Sequence, residues 1–139
     1  MRHGLTLLEM TLVLTICGVV ASIAIPSVAR VRDRSAVHGA TSLLVSSLAD
    51  ARHQAARWQR RTAIRFDTST ASAVVHAGAD TLSRAPLRAL FEVALSVTRD
   101  SIAFYPTGIG YGASNATLIV TRGAAAETVT VSRAGRVKR

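Results

Sequence analysis

One carboxylate dominates the chemistry that this sequence advertises. Glu9 is the only acidic residue in the opening stretch "MRHGLTLLEMTLVLTICGVVASIAIPSVAR", and no charged residue follows it from Met10 to Ala29. An ionisable group at the edge of so apolar a segment costs on the order of a few kcal/mol once drawn into lipid. Such a group calls for a cationic partner. The second chemical feature is arginine: 17 Lys and Arg against 8 Asp and Glu leave a net charge of +9, and Lys138 is the only lysine. A surface of that kind favours phosphates, acidic partners or anionic headgroups. Two basic groups stand out, Arg52, Arg57, Arg60 and Arg61 in the middle of the chain and Arg133, Arg136, Lys138 and Arg139 at its end.

Catalytic patterns are missing. His3, His38, His53 and His76 are scattered, no H-E-x-x-H or paired-carboxylate arrangement occurs, and no serine sits in a nucleophile elbow. Asp67, Asp80 and Asp100 lack the spacing of a calcium loop. The "GIGYG" run follows the strand-like "IAFYP" and precedes another strand rather than a helix, so it reads as a hairpin connection and not as a phosphate cradle. Neither intrinsic catalysis nor a required cofactor is expected. The single cysteine, Cys17, lies inside the apolar run, which excludes an intramolecular disulfide and reads as a small packing residue.

The elements that must position these groups follow from length and pattern. In 139 residues there is room for one membrane segment and one small domain. The twenty residues from Met10 to Ala29 match what a helix needs to cross a hydrocarbon core of about 30 Å. Three readings compete for this N-terminus. A secretory signal peptide would use Arg2 as its basic end and "SVA" at Ser27 to Ala29 as a cleavage site. A plain signal anchor would leave Glu9 without a purpose. The third is a leader cleaved ahead of a retained helix.

The third reading has a specific match. "RHG" followed by "LTLLEMTLVLTICGVVASIAIP" resembles the leader and first helix of the type IV pilin and type II secretion pseudopilin superfamily. The resemblance implies that Gly4 is the last leader residue, that prepilin peptidase cuts after it, that Leu5 becomes the N-methylated terminus, and that Glu9 is the family glutamate. Gly18 and Pro26 fall where the family has a helix-loosening glycine and a kinking proline; Leu5 stands where phenylalanine or methionine is more usual. Cleavage would create an amine with which the Glu9 carboxylate of another chain can pair, so that a charge costly in an isolated helix is neutralised on assembly and sets register. The positive-inside count, Arg2 and His3 against Arg30, Arg32 and Arg34, taken alone would keep the bulk of the chain in the cytoplasm. The resemblance places it on the opposite side, and the leader motif is the more specific signal.

Beyond the anchor, "SAVHGATSLLVSSLADARHQAARWQRRTAI" puts Val37, Leu44, Leu48, Ala51, Ala55 and Trp58 on one helical face. Arg52, Arg57, Arg60 and Arg61 crowd the helix end, where cations favour the macrodipole and cap the last turn. Pro26 is expected to kink the helix and not to end it. The runs "TAIRF", "SAVVH", "LFEVALSV", "SIAFYP", "ATLIVTR" and "ETVTVSR" read as six strands. The expected fold class is α+β, a long N-terminal transmembrane helix packed on a small antiparallel sheet. Its parts are a leader (1–4), a transmembrane segment (5–29), an amphipathic continuation (30–61) and a β-rich domain (62–139).

The pattern "IAFYPTG", the Gly-rich loop, two strands and the closing "VTVSRAGRVKR" also resemble the GspH/FimT group of minor pseudopilins and minor pilins. The resemblance implies a single-pass protein of the bacterial inner membrane with a periplasmic domain. It would act as a structural subunit of the type II secretion pseudopilus. Partners would be other pseudopilins or minor pilins, prepilin peptidase, the inner-membrane assembly platform and membrane lipid. The alternative is a minor type IV pilin whose Arg133, Arg136, Lys138 and Arg139 contact DNA.

Overall fold

The computed structural model describes residues 6–111 and 115–139. A 51-residue helix, α1 (Leu7–Arg57), opens the described chain, and eight strands and one short helix follow. The chain divides into two compact units between Arg32 and Asp33, and each is taken by itself.

In the first unit α1 carries Leu7, Leu8, Leu12, Leu14, Ile16, Val19 and Val20 fully or largely exposed. The helix continues through position 26. An apolar surface on all sides is what a helix shows when its solvent is lipid. Its few hydroxyls are returned to the helix backbone: Thr11 Oγ1 donates to the Leu8 carbonyl at 2.9 Å, Thr15 Oγ1 to Thr11 at 2.7 Å and Ser22 Oγ to Val19 at 2.7 Å. Each hydroxyl is thereby satisfied without water.

In the second unit one face of α1 is buried. Val37, Ala40, Leu44, Leu48, Ala51 and Ala55 recur at the three- and four-residue spacing of a helical stripe and are all nearly inaccessible. Five of the six residues assigned to that face by periodicity are there; Trp58 is not. The helix stops at Arg57, Gln59 adopts a left-handed φ of 49°, and Trp58 turns outward with 60% of its surface exposed.

The strands form two antiparallel sheets where the sequence suggested one. β1 (Thr62–Asp67), β2 (Ser72–Ala77), β3 (Asp80–Pro86) and β5 (Ser101–Phe104) make the first, in the order β3-β2-β1-β5. β4 (Ala94–Val97), β6 (Ala116–Arg122), β7 (Ala125–Val131) and β8 (Val137–Lys138) make the second, in the order β4-β6-β7-β8. Alternate residues of both sheets, including Ile64, Phe66, Val75, Ile102, Phe104, Leu118, Val120 and Val129, join the helical stripe in one core.

Three elements escape the sequence reading. β3 lacks the β-branched enrichment that marks a strand and ends on a proline, which an edge strand tolerates. β8 is two residues long. The run "LFEVALSV" is not one strand: Leu90 and Phe91 complete a short helix, α2 (Leu87–Phe91), and Glu92 closes it at a left-handed φ of 54° before β4 begins. α2 is seated on α1, because a side chain at Gly39 would meet the Phe91 ring at 2.7 Å.

At the β1–β2 turn the Ser69 and Thr70 hydroxyls, with backbone N–H groups, bond the Asp67 carboxylate at 2.6 to 3.3 Å. The Ser69 hydroxyl is the largest cause, and the Asp67 pKa is lowered to about 2.

Arg122 fastens the second sheet to both helices. Its guanidinium pairs with Asp33 of α1 at 3.1 Å and Glu92 at 2.7 Å, and donates to the Phe91 carbonyl. Next to it, Gly123 has a φ of 53° in a two-residue hairpin, and a side chain there would run into the Asp33 carboxylate. Gly123→Ala is therefore expected to lower stability by about 2 kcal/mol, through left-handed strain and displacement of Asp33. The measurement is the urea midpoint at unchanged slope; an unmoved midpoint would show that Asp33 is loosely held.

Candidate functional site

Thr6 and Glu9 open α1 as a reciprocal pair. The Thr6 N–H donates to the Glu9 carboxylate at 3.1 Å and the Thr6 hydroxyl does so at 3.3 Å, while the Glu9 N–H donates to Thr6 Oγ1 at 3.2 Å. This is a capping box, which the sequence contains as the T-x-x-E spacing of Thr6 and Glu9 beneath the more conspicuous signal of the charge itself. A carboxylate in the first turn also meets the positive end of the helix dipole. The charge that looks misplaced in an apolar run therefore has local compensation. A carboxylate offers about four lone-pair sites, so these bonds leave capacity for a further donor. Gly4 and Leu5 lie outside the described residues.

The basic C-terminal residues divide among different environments. β8 pairs with β7 through Thr130 with Lys138 and Val131 with Val137, so the closing residues form a hairpin instead of a loose tail. Ser132 ties its loop, its N–H donating to the Arg136 carbonyl at 2.8 Å and its hydroxyl accepting from the Arg136 N–H at 3.1 Å. Gly135, with φ 74°, lets this loop approach the Gly108 carbonyl. Arg133, Arg136 and Lys138 are exposed, and the last two border a shallow depression of about 300 Å³.

Arg139 is different. It turns back onto Glu127 at 2.8 Å, Ser42 at 3.3 Å and the His38 ring and carbonyl of α1. Much of its charge is used inside the molecule. Burial acts to raise the Glu127 pKa, but the contacts from Arg139 and His38 outweigh it and hold the carboxyl below its ordinary value.

Cys17 is a free, exposed thiol on the apolar helix. Among the described residues no group of three or more His, Cys, Asp or Glu is arranged to hold a metal ion. The chemistry these side chains offer is ion pairing, hydrogen bonding and apolar association.

Comparison with known proteins agrees with this geometry. The family model described as Type II transport protein GspH matches residues 36–135. Among solved structures the chain is similar to the type IV minor pilin FimU of Pseudomonas aeruginosa, with 18% identity and a TM-score of 0.64 over 76% of this chain and 88% of that one. It is also similar to the minor pseudopilin EpsH from the type 2 secretion system of Vibrio cholerae, with 15% identity and a TM-score of 0.50 over 75% of this chain and 91% of that one. No curated protein matches the sequence significantly. The expected fold, a long N-terminal helix on antiparallel sheet, is the fold of these neighbours.

A pH test follows from the Glu127 contacts. Because its folded pKa is depressed, the stability it contributes is present above the ordinary glutamate range and is lost as pH falls through the folded value. Hydrogen exchange at the Ser132 amide, relative to the amides of β6, is expected to quicken below about pH 4. Arg139→Ala should produce a roughly several-fold increase at neutral pH, the scale of an exposed ion pair. Equal exchange in the two proteins would mean that the strand pairing alone holds the hairpin.

Proposed function

We propose, because this chain belongs to the GspH family of type II transport proteins, that it is a minor pseudopilin, a structural subunit of the periplasmic pseudopilus of a type II secretion system. The observation that carries this reading is the conjunction of a family domain at residues 36–135 with an apolar helix bearing one carboxylate, Glu9, in its first turn. The helix anchors the chain in the bacterial inner membrane, and the β-rich domain faces the periplasm. Prepilin peptidase removes residues 1–4, Leu5 is methylated, segment 5–29 serves as the membrane helix, and segment 30–61 is the amphipathic continuation whose apolar face packs into the domain at 62–139. In the filament the Glu9 carboxylate of one subunit accepts the terminal amine of a neighbour while keeping its Thr6 bonds. The apolar side chains around it move from lipid to other helices at little cost, which leaves the ion pair to set register. Other pseudopilins, the assembly platform and lipid are the partners, and no catalysis by the chain itself is involved.

A second reading, a minor type IV pilin that touches DNA, is supported by the basic hairpin, on which Arg133, Arg136 and Lys138 are exposed. Arg139 contributes less to it, being paired with Glu127.

Mass spectrometry of the membrane-extracted protein tests the processing step, with an N-methylated Leu5 terminus as the expected result. Gly4 replaced by a bulky residue should leave the leader attached. A terminus at Arg30 would instead identify an ordinary secreted protein. For the assembly step, Glu9→Ala should leave membrane insertion and the domain intact while reducing cross-linking to other pseudopilins several-fold, the order expected for an ion pair of about 1 kcal/mol or more in a low-dielectric setting. Undiminished cross-linking would show that helix packing alone suffices.

A further inference from the structure

The arginines that crowd the end of α1 do not cap it. That role falls to Gln59, whose side-chain amide donates to the Ala56 carbonyl at 2.9 Å. Arg57 lies over the Trp58 ring at 5.7 Å, and Arg61 over the Tyr111 ring at 4.3 Å. Tyr111 in turn contacts Tyr105, their centroids 4.9 Å apart and their planes inclined by 59°. All three rings are open to solvent, Trp58 at 60%, Tyr105 at 44% and Tyr111 at 43%.

This basic and aromatic cluster continues onto the outer face of the first sheet. Register places Arg65 of β1, Val74 of β2 and Arg84 of β3 side by side across three strands, and both arginines are exposed. Neither guanidinium makes an ion pair or hydrogen bond among the described residues, in contrast to those of Arg122 and Arg139. Between them and Arg61 lie Ala63, His76 and Gly78. A depression of about 380 Å³ lined by Arg61, Ala63, His76 and Gly78 meets, at His76, one of about 540 Å³ that reaches Arg65, Val74 and Arg84. Asp67 and Asp100 border its far end. At about 3.4 Å per residue, β1 carries the groove roughly 20 Å from Arg61 to Asp67.

We propose that this groove binds a short stretch of single-stranded nucleic acid. Guanidinium groups of Arg61, Arg65 and Arg84 neutralise successive phosphates, and unpaired bases stack on Trp58 and on the Tyr105–Tyr111 pair. Cations lining a shallow channel, with exposed rings reached through Arg61 and Tyr111 at one end, are the two components of sequence-tolerant single-strand binding. In a duplex the base faces are already stacked and the rings gain nothing. An acidic polypeptide would engage the arginines but would leave the rings without a role. The carboxylates of Asp67 and Asp100 repel a longer polyanion and set the limit of the site. The inference concerns residues apart from the C-terminal hairpin and stands independently of the assembly reading.

The test uses the full chain in neutral detergent and a fluorescein-labelled oligo-dT of about 20 nucleotides, followed by anisotropy between about 50 and 200 mM salt. Replacing Arg61, Arg65 and Arg84 together by alanine is expected to flatten the plot of log affinity against log salt by about 2, at roughly 0.7 per phosphate contact. Trp58→Leu and Tyr111→Leu should each weaken binding about tenfold with the salt slope unchanged. All five positions are exposed, and unchanged urea midpoints will show that the variants fold. Four results would overturn the proposal: no binding at the lowest salt, equal competition by polyglutamate, tighter binding of duplex than of single strand, or loss on Arg136→Ala and Lys138→Ala with none on the arginine triple. Processing at Gly4 and cross-linking through Glu9 are read separately, so neither outcome there can imitate these.

Discussion

The buried stripe of α1 from Val37 to Ala55 is the constraint on which the domain depends. No disulfide is available to a chain whose only cysteine lies in its apolar N-terminal run, so the second unit is held by its core alone. Each four-stranded sheet has one apolar face, and an apolar face must be covered. The helical stripe and the two inner sheet faces cover one another in a single cluster, in which Leu44, Leu48, Ile64, Phe104 and Leu118 are almost wholly removed from water. Small residues decide how close the layers come. Ala40, Ala51 and Ala55 on the helix admit the sheet residues, and Gly39 admits Phe91.

Electrostatics in this protein is a matter of how few carboxylates are distributed among many arginines. Asp33 and Glu92 are both engaged by Arg122, which bridges α1, α2 and β6, and Glu127 is engaged by Arg139 and His38. Partly buried pairs of this kind fix geometry more than they add stability. Asp67 is taken up by its own turn. Arg65 and Arg84 of the first sheet therefore face outward, and Arg57 and Arg61 at the helix end have rings as neighbours. A net charge of +9 is not spread evenly but concentrated by this allocation.

Glu9 illustrates how one residue meets demands from two levels. Locally it completes a capping box with Thr6, which satisfies a backbone donor at the helix start and lowers the cost of a charge in apolar surroundings. Its bonds to Thr6 leave a lone-pair direction open, the capacity that the proposed pairing with a neighbour's terminal amine would use.

Much of the fold was legible in the sequence, because the relevant signals are local. Length and lack of charge mark the apolar half of α1, a three- and four-residue period marks its buried face, and β-branched alternation marks six of the eight strands well enough to locate them. What failed locally had tertiary causes. β3 is a strand only because β2 offers it an edge, Leu90 and Phe91 are helical because Gly39 leaves a seat for the ring, and Trp58 leaves the predicted face because the helix stops one residue before it. The division of strands into two sheets depends on which edges meet, which no single strand encodes. The candidate site divides in the same way. The T-x-x-E spacing contains the capping box of Glu9, since a helix start is built within four residues. The fates of Arg139, drawn inward to Glu127, and of Arg61, laid over Tyr111, depend on partners 12 and 50 residues distant in the chain, and only the folded arrangement brings them together.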